Sequence, residues 1–182
     1  MIKSSAQILL LFSSLLFLSA CGATTSLTGS QCFVVEMYGV FEEPVGADGA
    51  FEPKWQNYLL TDVLITKSDG SGDVDLMTSD PPVVRIVDRT QIIFSADVAE
   101  YEGVAMSGLT IKFDPSIVVA GKAAEHTVIL DTGDMTLAQS ISVGKGQGIT
   151  VLLKVKWKNT IKVDEATGEE SALAPTFDIS IK

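Results

Sequence analysis

The sequence predicts an all-β fold, a single β-sandwich. Three observations predict it. Beyond residue 30, short runs alternating apolar and polar residues dominate. Clusters of Gly, Asp, Pro and Ser separate those runs at short intervals. No stretch there carries an apolar stripe with a period of about 3.6 residues for longer than two turns. At 182 residues and 46% apolar, the chain is long enough to bury a core without disulfide or metal staples.

Residues 33–38 read as the first strand, and residues 58–66 as the second. Residues 83–87 and 91–94 follow, bounded by Asp69-Gly70-Ser71-Gly72 and Asp80-Pro81-Pro82. Residues 96–106 form the best helical candidate, weakened by Gly103. Residues 109–113 alternate cleanly, and Asp114-Pro115 ends them. Residues 127–130 and 140–143 are shorter runs on either side of Asp131-Thr132-Gly133-Asp134. The clearest strand is residues 149–157. Ile149, Val151, Leu153, Val155 and Trp157 point one way, and Lys154 and Lys156 point the other. Those lysines would discourage pairing if this strand lay at a sheet edge. Residues 164–175 are polar and acidic and read as a surface loop before a last strand at 177–181.

Charge excludes several functions. The chain has 13 basic and 23 acidic residues, a net charge of −10. Such a surface repels nucleic-acid phosphates and anionic lipid headgroups. Its single histidine, His126, excludes His-pair metal sites and argues against a Ser-His-Asp triad.

The N-terminus carries an address. Lys3 supplies one positive charge, and residues 8–18 are almost wholly apolar, broken by Ser13-Ser14. The run is too short to span a bilayer comfortably and has the size of a signal-peptide core. It ends in Leu18-Ser19-Ala20-Cys21. This resembles the lipobox of bacterial lipoproteins. The resemblance implies cleavage after Ala20, diacylation of the Cys21 sulfur and a lipid anchor that does not span the membrane. Removing residues 1–20 takes away one cation and no carboxylate, so the mature chain is more acidic still. Gly22 stands where an Asp typically retains Gram-negative lipoproteins at the inner membrane, which favours the outer membrane. Residues 22–30 (GATTSLTGS) read as a flexible tether reaching at most roughly 30 Å. The expected organisation is a signal peptide at 1–20, lipidated Cys21 and tether at 21–30, and the sandwich at 31–182. With Cys21 on lipid, Cys32 is expected to be a lone, buried, inert thiol.

Val63-Leu64-Ile65-Thr66 with Asp69-Gly70, then Val83-Val84-Arg85-Ile86-Val87, residues 101–113 and residues 149–155 come in a definite order. That order resembles an uncharacterised family of bacterial lipoprotein domains with a transthyretin-like or prealbumin-like β-sandwich. The resemblance implies a fold, of transthyretin-like or immunoglobulin-like kind, and a lipid anchor. It implies no activity and no site residue beyond Cys21.

Four stretches are candidate sites. Asp69, Ser71, Asp73, Asp75 and Asp80 stand at positions one, three, five, seven and twelve of a calcium-type loop. Position six is Val74 where such a loop wants Gly, and no flanking helices are expected, so an acidic β-turn competes with Ca2+ binding. Phe41, Phe51, Trp55 and Tyr58 belong to an aromatic-rich segment with a hairpin tip at Asp48-Gly49. They offer a stacking platform for a sugar or a protein, against ordinary hairpin packing. Asp131 and Asp134 are a carboxylate pair of the kind acid–base catalysis needs, but a hairpin turn explains them. Residues 144–148 (GKGQG) precede a strand, not a helix, so they lack the geometry of a phosphate cradle.

The expected function is therefore a membrane-anchored bacterial lipoprotein of the cell envelope. Its role is structural or adhesive and non-catalytic, binding an envelope protein or a polysaccharide. A calcium- or glycan-binding module is the alternative, and a hydrolase ranks last. No cofactor is expected apart from the covalent lipid and, on the alternative, Ca2+.

Overall fold

The architecture follows from where alternating side chains find cover. The computed structural model describes residues 31–40, 53–78, 80–86, 89–121, 123–156, 161–164 and 166–182. In chain order the strands are β1 (Cys32–Val40), β2 (Gln56–Lys67), β3 (Asp73–Asp75), β4 (Val83–Ile86) and β5 (Gln91–Asp97). After a short 3-10 turn (Ala99–Tyr101) come β6 (Ala105–Phe113), β7 (Ser116–Ala120), β8 (Glu125–Ile129), β9 (Asp134–Leu137) and β10 (Ile141–Ser142). The last are β11 (Ile149–Lys156), β12 (Ile161–Val163), β13 (Glu170–Ala172) and β14 (Thr176–Ile181).

Two sheets face each other across one hydrophobic core. The smaller has the order β14-β11-β1-β5. In it β1 runs parallel to β11, with Phe33 opposite Ile149 and Val40 opposite Lys156. Phe33, Val35 and Met37 of β1 and Ile149, Val151, Leu153 and Val155 of β11 are all buried. The larger sheet has the order β10-β6-β2-β7-β8, with β3 and β4 added on β2 and β9 on β6.

β2 carries both halves of that larger sheet. Its first residues pair with β4 and β7, and its later residues with β6 and β3. The inward positions change phase along it: Tyr58 and Leu60 are buried, then Val63 and Ile65. A register shift against β6 between Leu60 and Asp62 makes that change possible. One extra residue re-aims the rest of the strand without breaking the core.

Several expectations need correction. Residues 96–106 are not helical: Ala96 and Asp97 belong to β5, a 3-10 turn follows at Ala99–Tyr101, and β6 already begins at Ala105. Small residues and Gly103, at φ 76, suit a tight corner between strands. The acidic stretch 164–175 is not all loop. Its Glu170–Ala172 segment pairs with β12, around a turn in which the Asp164 carboxylate accepts from Ala166 and Thr167 N–H. The condition set for the β11 lysines does not arise, because β11 lies between β1 and β14, where Lys156 pairs with Asp178. Cys32 is neither a lone thiol nor fully buried, because it is disulfide-bonded and half-exposed.

The signal peptide, Cys21, the tether, the Asp48-Gly49 tip, Phe41, Phe51, Val87 and Trp157 lie outside the described residues. Among the described residues no helix is long and apolar enough to cross a membrane.

Candidate functional site

The two sheets leave a cleft open along one side of the sandwich. Its volume is about 300 Å³, and β9 and β14 face each other across it. One wall is Leu130, Asp131, Thr132, Asp134, Met135 and Thr136; the other is Pro175, Thr176, Phe177 and Ile179. Met135 and Leu130 are buried, and Phe177 and Ile179 pack against the core, so the floor is apolar. Phe177 stacks on Phe113 at 6.3 Å and meets Tyr58 edge-on at 5.9 Å. The rim carries the carboxylates of Asp131 and Asp134, both exposed.

Local rules fix the turn that holds those carboxylates. Asp134 N–H donates to the Thr132 hydroxyl at 3.1 Å, and that hydroxyl reaches back to the Asp134 carbonyl at 3.5 Å. Phe113 N–H donates to the Gly133 carbonyl at 2.8 Å. A Cβ on Gly133 would collide with the Phe113 carbonyl oxygen. Glycine is therefore required by close backbone approach. Gly133→Ala is expected to push the turn off β6 and destabilise the domain by roughly 1–3 kcal/mol, read as a lowered Tm.

β9 presents an unpaired main-chain edge to this cleft. Paired antiparallel residues alternate between exchanging hydrogen bonds and not. Phe113 and Gly133 bond, so Lys112/Asp134 and Thr110/Thr136 are the non-bonded pairs. The N–H and C=O of Asp134 and Thr136 then point away from β6. Those of Asp134 meet the Thr132 hydroxyl. Those of Thr136 have no protein partner among the described residues. Asp134, Met135 and Thr136 line the cleft consecutively, as a strand edge does and one face of a strand does not.

The other sequence candidates lie elsewhere. Asp69, Ser71, Asp73 and Asp75 belong to the β2–β3 hairpin, where each carboxylate has a local use. Asp69 accepts from Ser71 N–H at 2.9 Å, and the backbone and side chain of Ser71 hold its carboxyl below the usual range. Asp73 accepts from the Thr66 hydroxyl at 2.7 Å, and Asp75 from Met77 N–H at 2.9 Å. Gly72, at φ 105, closes the hairpin. Asp80 lies beyond it. Among the described residues no three His, Cys, Asp or Glu side chains are grouped to hold a metal ion.

The aromatic platform does not assemble from the members described. Tyr58 is 1% exposed and belongs to the core. Trp55 is half-buried, and the Arg85 guanidinium covers its ring at 4.2 Å while donating to Asn57 at 3.0 Å. The 144–148 loop turns directly into β11, and its Gly144 carbonyl accepts from the Gln31 amide at 2.9 Å.

Sequence reasoning missed two polar features. His126 meets Glu170 at 3.2 Å, and Glu170 also accepts from Ala123 N–H at 3.0 Å, tying β13 to β8. Gln56 is fully buried beside Tyr58, whose hydroxyl donates to its Oε1. A Gln at an inward position of β2 was the available signal for the second. Compared with known proteins, the chain matches no family model, no curated protein and no solved structure.

Proposed function

We propose that this chain is a lipid-anchored protein of the bacterial envelope, with a non-catalytic sandwich domain that binds another envelope protein. The family resemblance of residues 62–161 and an outer-membrane location are part of that proposal. The observation that carries the binding role is the cleft between β9 and β14. It sets half-buried Phe177 and Ile179 beside buried Leu130 and Met135, next to a strand edge unpaired among the described residues, which is what strand addition needs. The anchor rests on the lipobox-like Leu18-Ser19-Ala20-Cys21.

Cys32 bears directly on the anchor. The chain has two cysteines, and one sulfur cannot hold both a disulfide and a thioether. Expression in a Gram-negative host is expected to place the chain in the membrane fraction. The mass of its N-terminal peptide should include the acyl groups on Cys21. Cys21→Ser is expected to release the chain to the soluble fraction. An unlipidated N-terminal peptide, with Cys32 still in a disulfide, would sink the anchor.

A further inference from the structure

We infer that the β9 edge is a docking site for an extended, basic segment of a partner protein, which adds as a strand in the cleft between β9 and β14. This rests on the protein-binding reading above and names its surface and its ligand chemistry. Three features choose the occupant. The Thr136 N–H and C=O face the cleft as one donor and one acceptor along a strand edge. An extended peptide backbone supplies their complements at the right spacing. The floor made by Leu130, Met135, Phe177 and Ile179 accepts apolar side chains at alternate positions. The rim holds Asp131 and Asp134, and among the described residues no Lys, Arg or His lines the cleft. Lys112 stands across the strand from Asp134, so Asp131 is the less compensated charge. A segment alternating apolar and basic residues meets all three demands, and an acidic one is repelled.

The proposal separates the edge from the fold. Thr136 N–H takes no part in the pairing with β6, so Thr136→Pro removes the edge donor and leaves the sheet ladder intact. The probe is a short acetylated, fluorescently labelled peptide alternating valine and lysine, with its valine–glutamate counterpart as control. Both are titrated by anisotropy against the full chain solubilised in detergent at low salt. The expected result is saturable binding of the lysine peptide, at least about tenfold tighter than the glutamate peptide. Thr136→Pro is expected to weaken it at least about tenfold, with an unchanged circular dichroism spectrum.

Asp131→Lys, in an exposed turn, provides the second variant and is expected to narrow or reverse the preference. Equal affinity for the two peptides, or affinity unchanged in both variants, overturns the proposal. So does concentration-dependent dimerisation abolished by Thr136→Pro, which assigns the edge to a second copy of this chain. Crosslinking in intact cells keeps the two levels apart. A partner still captured by Thr136→Pro overturns the edge and spares the protein-binding reading, whereas capture lost in that variant supports the edge.

Discussion

Leu153→Ala is expected to destabilise the domain by about 2–5 kcal/mol, among the largest effects of any single truncation in this chain. Leu153 is fully buried on β11, with Met37 opposite on β1 and Ile179 opposite on β14. Removing its isobutyl group leaves a hole in the middle of the smaller sheet. The strands on both sides are held in register by pairs along their length, so they cannot close over it. Urea denaturation checks the size, as a lower midpoint at unchanged slope. A loss below about 1 kcal/mol would mean that the two sheets pack loosely at β11. Leu152, one position along on the opposite face, is half-buried and is the control: Leu152→Ala is expected to cost clearly less.

The second large effect sits at Gln56 and Tyr58, and its sign depends on which partner is removed first. Tyr58 donates to Gln56 Oε1, and Gln56 Nε2 is buried with no hydrogen-bond partner among the described residues. Tyr58→Phe leaves the whole Gln56 amide unmatched in the core and is expected to cost about 1–3 kcal/mol. Adding Gln56→Met removes the stranded polar group, and the double variant is expected to recover most of that loss. The double-mutant cycle measures the coupling; additive losses would show that the amide finds water instead.

The same tyrosine sets an alkaline limit. Burial pushes the Tyr58 phenol well above its ordinary value of 10.0. Unfolded chains release that proton near pH 10 and the folded chain does not, so unfolding is favoured as pH rises. The stability is complete below the unfolded pKa and falls as pH climbs from there through the raised folded value. Tyr58→Phe should therefore show a shallower alkaline decline, by up to about 1.4 kcal/mol per pH unit.

How much of this could be read from the sequence depended on whether the determining contacts were local. β11 was legible almost residue by residue, because Ile149, Val151, Leu153 and Val155 alternate with polar or less buried neighbours on one buried face. The extent of β2 was legible, but its change of phase was not. That change is made by the register of β6 against Leu60 and Asp62, which no local pattern records. The start of β6 hid behind small residues that favour neither period. β13 hid in an acidic stretch, because the contacts that order it reach Ala123, Ala124 and His126 from Glu170. Asp131 and Asp134 were visible as turn carboxylates. The opposite wall, Pro175 to Ile179, comes from more than forty positions later in the chain, so the cleft itself was invisible. The disulfide of Cys32 is not legible once the only other cysteine is placed on lipid.

The parallel pairing of β1 with β11 has a mechanical consequence. β1 is the first strand after the N-terminal segment, yet it lies inside its sheet, flanked by β11 and β5. Tension applied through that segment enters along the axis of β1. Its register with β11 runs unbroken from Phe33 to Val40, so the load is shared as shear among all those cross-strand bonds at once. A hairpin pulled from its open end gives way one bond at a time. Drag on the domain is thus met by strands loaded in shear along their whole paired length.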